Sequence, residues 1–110
     1  MIGVVHRIVL ADDHTVLRVG LRSFLEDQAG VSLRVERECA SGEEAVEAAE
    51  SLRPDLLLLD LSMPGIGGLG ATLEIRRRAL PVKILILTQH AETVSLRRAL
   101  EAGANGYVVK

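Results

Sequence analysis

Three aspartates, one threonine and one lysine stand where short apolar runs of the sequence end. They are Asp12, Asp13, Asp60, Thr88 and Lys110. Three carboxylates at one place repel one another. A hard divalent cation such as Mg²⁺, which prefers oxygen ligands, would offset this repulsion. Phosphoryl transfer needs a nucleophilic carboxylate, a metal and donors for the remaining charge, and the lysine and the hydroxyl are such donors.

Apolar periodicity predicts the elements that must bring these residues together. Strands are predicted at residues 8–11, 31–39, 55–60, 82–87 and 106–109, and the second, which alternates only partly, is expected at a sheet edge. Helices are predicted at residues 15–27, 41–53, 69–79 and 92–102, with residues 62–68 as a loop. Pro54 and Pro81 end two of these helices, and Gly103 closes the last one.

This alternation predicts an α/β fold with a five-stranded, parallel, doubly wound sheet of the flavodoxin-like kind. In such sheets ligands bind beyond the carboxyl ends of the strands. Taken singly, the chemical residues have plain structural explanations; Asp13 could cap a helix, and Thr88 could bond to backbone. Their joint position after four different strands favours a functional site instead.

Composition narrows the class of protein. The 110 residues suffice for one domain, residues 1–110, with a net charge of -2 and only Phe24 and Tyr107 as aromatic residues. This argues against direct nucleic-acid binding, which uses basic and stacking surfaces. The apolar runs are too short for a membrane span, no signal peptide is recognisable, and Cys39 has no partner for an internal disulfide. A cytoplasmic protein is therefore expected.

Four motifs carry a specific resemblance. They are Ala11-Asp12-Asp13-His14, Asp60-Leu61-Ser62-Met63-Pro64-Gly65, Thr88, and Gly103-Ala104-Asn105-Gly106-Tyr107 leading to Lys110. With them the sequence resembles the response-regulator receiver domain of two-component systems, from His6 to the last residue. The opening Leu10-Ala11-Asp12-Asp13-His14, followed by Arg18-Val19-Gly20-Leu21-Arg22, resembles the subfamily of transcription factors with a LuxR-type helix-turn-helix domain.

The resemblance implies a role for each chemical residue. Asp60 would accept a phosphoryl group from a sensor histidine kinase. Asp12, Asp13 and Asp60 would bind Mg²⁺, with the backbone carbonyl of Ser62 as a further ligand. Lys110 would pair with the phosphoryl group.

The same resemblance implies a switch and a signalling role. Thr88 would turn towards the phosphoryl group, and Tyr107 would move with it. The chain would then be a signalling domain for a transcriptional output, catalysing only its own phosphorylation and dephosphorylation. His14 is expected either as a solvated residue at a helix start or near the surface where the kinase docks.

Two other functions fit parts of the sequence. Gly65-Ile66-Gly67-Gly68-Leu69-Gly70 is a literal G-x-G-x-x-G, with Glu92 as the nearest acid for a ribose, but residues 61–64 separate it from the strand. A haloacid-dehalogenase-type phosphohydrolase also forms an aspartyl-phosphate. That class uses an Asp-x-Asp after its first strand and a cap, whereas this sequence has adjacent aspartates and no spare chain.

Two positions depart from the receiver pattern beside Asp60. Gly67 stands where receivers commonly have aspartate, so this glycine-rich segment is expected to be a flexible loop. Gln89 stands where they usually have a small residue. With Ser62 and His90, Gln89 is expected to tune the lifetime of the phosphorylated state, and replacing it with alanine should change dephosphorylation more than phosphorylation.

The sequence stops at Lys110, before the fifth helix of the family. The chain is therefore expected to be a truncated receiver domain that contacts DNA only through a domain outside this sequence. A homodimer is expected through the face formed by the fourth helix and fifth strand, or through the sheet face that the missing helix would cover.

Overall fold

The computed structural model describes residues 5–27, 32–89 and 93–110, without the side chains at positions 16, 17, 24 and 25. The strands are β1 (Val5–Ala11), β2 (Ser32–Cys39), β3 (Leu56–Asp60), β4 (Lys83–Thr88) and β5 (Gly106–Val109). The helices are α1 (Thr15–Glu26), α2 (Gly42–Leu52), α3 (Gly67–Arg77) and α4 (Val94–Ala102). None of these helices has both the length and the apolar character needed to cross a membrane.

All five strands are parallel, in the order β2-β1-β3-β4-β5. The chain begins in the interior of the sheet at β1, adds β2 on one side, and then adds β3, β4 and β5 on the other. The direction of winding therefore reverses between β1 and β3, and such a reversal opens a crevice at the carboxyl ends of the two strands. The predicted parallel, doubly wound α/β fold is confirmed, with β2 at a sheet edge as expected.

Helices cover both faces of the sheet. The larger core cluster combines one face of the strands with α2, α3 and α4, and includes Leu57, Leu59 and Ile86. The smaller cluster, on the face that α1 covers, includes Leu58 and Leu87. Neighbouring residues of a strand enter different clusters because successive side chains point to opposite faces of a sheet.

Local signals in the sequence set several helix ends. The Ser41 hydroxyl accepts a hydrogen bond from the Glu44 amide at 3.2 Å, and the Thr93 hydroxyl accepts one from the Leu96 amide at 3.0 Å. Both are side-chain caps of helix starts. The second helix ends at Leu52, one residue earlier than predicted, because Arg53 adopts a left-handed conformation with φ of 48°.

The start of α3 corrects the end of the loop predicted at residues 62–68, because residues 62–66 lie outside the helices and strands whereas Gly67 and Gly68 do not. The helix begins at Gly67, so Gly67 and Gly68 are its first residues. Gly68 packs so closely on the end of β3 that a Cβ there would lie 2.5 Å from the Asp60 carbonyl oxygen. Only glycine, which has no side chain, permits this close approach of two backbones. Because glycine has a low helix propensity, the sequence gives no sign that a helix begins here.

Candidate functional site

A cavity of about 450 Å³ opens at the carboxyl ends of the strands, where the crevice is expected. Its lining includes Asp60, Ser62, Thr88, Gln89 and Lys110. Each of these residues ends a strand or lies within two residues of a strand end. The parallel topology thus brings together residues that are up to 50 positions apart in the sequence.

Asp60, the last residue of β3, is 2% exposed. The Lys110 ammonium donates a hydrogen bond to its Oδ2 at 2.8 Å, and the Ser62 amide donates one to its Oδ1 at 3.1 Å. Burial raises the pKa of the Asp60 carboxyl above its usual value, and these two donors only partly oppose the effect. The two donors fix the position of the carboxylate but do not fully offset the cost of burying its charge, as expected of a reactive group in a cleft.

Asp12 directly follows β1 and is fully buried. Burial acts to raise its pKa, but the His14 amide and ring and the Lys110 charge outweigh burial, so the pKa of Asp12 is lowered. The Lys110 ammonium lies 3.3 Å from Asp12 Oδ2. The pKa of Lys110 is itself raised, because its contacts with Asp60 and Asp12 outweigh the burial that would lower it. Lys110 is thus a cation shared by two carboxylates.

His14 joins the carboxylates, although sequence reasoning gave it no place in the site. Its Nδ1 lies 3.0 Å from Asp12 Oδ1, 3.2 Å from Asp13 Oδ1 and 3.7 Å from Asp60 Oδ2. Its backbone amide also donates to Asp12 Oδ1, at 2.8 Å. Adjacency to the aspartate pair was the only signal in the sequence, and it did not reveal the direction of the ring.

The residues present fit a divalent cation. Asp12, Asp13, His14 and Asp60 each offer a ligand atom, and these atoms lie within 4.8 Å of one another. Among the described residues, the buried Asp12 Oδ2 has only the Lys110 ammonium near it, which it shares with Asp60, so it can still accept a cation. Ser62 contributes its amide to Asp60, while the ligand role of its carbonyl stays a prediction.

The two residues predicted to form a switch lie in different surroundings. Thr88, the last residue of β4, is 5% exposed and lines the cavity. Tyr107 is on β5, paired with Ile86, and is 45% exposed. The structure therefore brings Thr88 to the site and leaves Tyr107 at the surface of the edge strand, so their coupling stays a prediction.

Two of the three residues predicted to tune the lifetime of the phosphorylated state lie within the described part of the chain. Ser62 and Gln89 are both exposed and both line the cavity. His90, and Glu92 of the dinucleotide-binding interpretation, lie outside the described residues. Gly68 and Gly70 have packing roles, because a Cβ at Gly70 would lie 2.7 Å from the Ile66 side chain. Packing of α3 thus explains Gly68 and Gly70, while Gly65 and Gly67 have positive φ angles of 74° and 68°.

Comparison with known proteins agrees with this geometry. A family model described as the response regulator receiver domain matches residues 8–110. The chain is 44% identical over 103 residues to the response regulator UvrY of Escherichia coli strain K12, covering 94% of this chain and 46% of UvrY. It is 38% identical over 104 residues to the response regulator protein VraR of Staphylococcus aureus, covering 94% of this chain and 49% of VraR.

A solved structure is similar throughout. The chain superposes with a TM-score of 0.88 on a two-component response regulator of the LuxR family from Aurantimonas sp. SI85-9A1, at 39% identity, covering 97% of this chain and 75% of that one. The chain spans about half the length of the curated relatives it matches. The resemblance seen in the sequence is confirmed, and neither the phosphohydrolase nor the dinucleotide-binding interpretation finds support.

Proposed function

Because the chain belongs to the response regulator receiver domain family, we propose that it is a phosphorylation-switched signalling domain with Asp60 as the phosphoacceptor. The observation that carries this proposal is the Asp60 carboxylate, which lines the cavity 2.8 Å from the Lys110 ammonium. Domains of this family are signalling modules rather than classical enzymes. The proposed chemistry is therefore confined to gain and loss of one phosphoryl group.

In the proposed reaction an Asp60 carboxylate oxygen attacks the phosphorus of the donor, and the bond from phosphorus to the donor's leaving atom breaks. Lys110 then pairs with a phosphoryl oxygen, since its ammonium already shares the space between Asp60 and Asp12. Asp12, Asp13, Asp60 and the Ser62 carbonyl would hold Mg²⁺. When bound, Mg²⁺ offsets the charge of the phosphoryl oxygens.

Thr88 and Tyr107 supply the proposed switch. Thr88 lines the cavity that holds Asp60, and its hydroxyl would turn onto a phosphoryl oxygen. Tyr107 is 45% exposed on β5, which leaves its ring free to change its burial. We propose that the two side chains move together and alter the surface of α4 and β5.

The wider role is proposed from the relatives. The curated relatives are response regulators about twice as long as this chain, and the similar structure is of the LuxR family. The chain would be cytoplasmic and would receive its phosphoryl group from a sensor histidine kinase. A DNA-binding domain outside this sequence would regulate transcription. Dimerisation would use the α4 and β5 face, where Val94, Val108 and Val109 are exposed, or an uncovered face of the sheet.

The central test is covalent. The chain is incubated with Mg²⁺ and acetyl phosphate, and its mass is measured before and after. One added phosphoryl group is expected in the wild-type chain and in Asp55→Asn, a matched change at the other end of β3, but not in Asp60→Asn. An adduct that persists in Asp60→Asn, or no adduct in the wild-type chain with any donor, would contradict the proposal.

A second test concerns the lifetime of the phosphorylated state. Gln89 is exposed at the mouth of the cavity, where its amide can shield the phosphoryl group or orient the attacking water. Gln89→Ala is expected to change the dephosphorylation rate more than the phosphorylation rate. Phosphoprotein decay after removal of the donor measures the first rate, and phosphoprotein accumulation measures the second. Equal changes in both would refute the role.

A further inference from the structure

The His14 ring lies among the carboxylates in the geometry of a ligand. Its Nδ1 is 3.0, 3.2 and 3.7 Å from oxygens of Asp12, Asp13 and Asp60. Adjacent ligands of an octahedral cation with bonds of about 2.1 Å lie about 3.0 Å apart. The nitrogen and its nearest oxygens therefore already have the spacing of neighbouring ligands.

Hydrogen bonding alone leaves this cluster unsatisfied. A ring nitrogen carries at most one hydrogen, so Nδ1 cannot fully satisfy three carboxylate oxygens. Among the described residues, the fully buried Asp12 Oδ2 has only the Lys110 ammonium near it, at 3.3 Å, and that ammonium lies closer to Asp60 Oδ2, at 2.8 Å. This buried oxygen, which shares one ammonium with Asp60, is an observation independent of the ring, and it can accept a further cation.

We infer that the His14 imidazole is a further protein ligand of the cation held by Asp12, Asp13 and Asp60, and that it shifts the site's selectivity towards first-row transition metals. The inference rests on the proposed function, since it concerns the same site. Imidazole suits Mn²⁺, Co²⁺, Ni²⁺ and Zn²⁺, whereas Mg²⁺ prefers oxygen. With the Ser62 carbonyl proposed above, four oxygens and one nitrogen leave one position of an octahedron for water or a phosphoryl oxygen.

The local structure holds His14 in place while leaving its ring free to turn. Its backbone is fixed by its amide bond to Asp12 Oδ1 and by the Arg18 amide, which donates to the His14 carbonyl at 2.9 Å in the first turn of α1. The side chain is 56% exposed, so directing the ring lone pair to a cation disrupts no core packing. The charge of Lys110 weakens binding of every divalent cation alike, so it cancels when two metals are compared.

The test measures metal binding with no phosphodonor present. Affinities for Ni²⁺ and Mg²⁺ are measured by calorimetry for the wild-type chain, His14→Asn and the control His6→Asn. His6 lies near the start of β1, at the end of the sheet away from the site. We expect His14→Asn to weaken Ni²⁺ binding by at least about tenfold and Mg²⁺ binding by much less, because only Ni²⁺ gains from the nitrogen. His6→Asn should leave both affinities unchanged.

A spectroscopic readout keeps the result independent of variant stability. In the wild-type chain loaded with Co²⁺, a hyperfine-shifted imidazole N–H proton signal is expected, and it should be absent from His14→Asn and present in His6→Asn. An equal change in Ni²⁺ and Mg²⁺ affinity in His14→Asn, no transition-metal binding by the wild-type chain, or no such signal would overturn the inference. Phosphorylation of the wild-type chain with Mg²⁺ is measured separately, so its failure would count against the Asp60 proposal and not against His14.

Discussion

An aspartate stands at each end of β3, and the two carboxylates have opposite surroundings. Asp55, directly before the strand, is exposed and accepts a hydrogen bond from the Arg7 amide at 2.7 Å. Its backbone bonds to Arg7 on β1 and to Lys83 on β4, at 2.9 and 3.2 Å. Asp60, at the other end, is buried beside two further carboxylates with Lys110 as their shared ammonium.

The two ends of β3 differ in whether a carboxylate there can become reactive. At the amino ends of the strands, the exposed Asp55 carboxylate accepts a backbone hydrogen bond and faces solvent, so it contributes to strand pairing. At the carboxyl ends, burial removes water while Asp12, Asp13 and Asp60 converge, and one ammonium leaves negative charge in excess. That excess is costly to the fold and useful for binding a cation and for nucleophilic attack.

The largest expected effect concerns close packing at the carboxyl ends. Gly68→Ala should destabilise the chain by about 2 kcal/mol and lower phosphorylation, because its Cβ would collide with backbone at Asp60 and Leu61. Gly20→Ala in α1 is the matched control. Among the described residues no heavy atom lies within 4 Å of a Cβ added at Gly20, and this change should stabilise the chain by about 0.5–1 kcal/mol. Denaturant unfolding measures both, and similar effects would mean that α3 is not pressed onto the site.

The second effect is a gain in stability. The pKa of Asp60 is higher in the folded chain than in the unfolded chain, so its ionised form costs stability as pH rises through the folded value. Asp60→Asn without metal should therefore stabilise the chain at neutral pH by about 1 kcal/mol, and the gain should shrink towards acid pH. Asp55→Asn keeps its acceptor oxygen and should change stability by less than about 0.5 kcal/mol. A loss of stability in Asp60→Asn would reverse the contrast drawn between the two ends.

Much of this contrast could be predicted from the sequence. The four leucines of residues 56–59 are bounded by Pro54 and Asp60, and such a run is typical of a central strand buried on both faces. Once five strands alternate with helices, parallel pairing places all carboxyl ends at one edge. The meeting of Asp60 with Asp12 and Lys110 follows from topology, without knowledge of any side-chain conformation.

The missed features depend on tertiary distances. The sequence predicts Gly67 and Gly68 as loop, whereas they begin α3, where Gly68 closely approaches the Asp60 carbonyl. His14 does directly precede α1, as one of its two predicted positions required. Its ring, however, lies among three carboxylates, and the one from Asp60 on β3 is distant in the sequence. Sequence periodicity carries no information on either distance.

The smallest expected change in stability at neutral pH is that of Cys39→Ala. Cys39 allows a test of whether burial at a strand end is enough to make a side chain reactive. Cys39 ends β2 and is 1% exposed, and burial, followed by the charge of Glu44, raises the pKa of its thiol to about 11. The folded chain binds this proton more tightly than the unfolded chain, so stability should fall as pH rises from about 9 towards 11, and less so in Cys39→Ala. Iodoacetamide should modify the native thiol far more slowly than the unfolded one. Equal rates would show that burial does not suppress the reactivity of a side chain at a strand end, and the contrast between Cys39 and Asp60 would then fail.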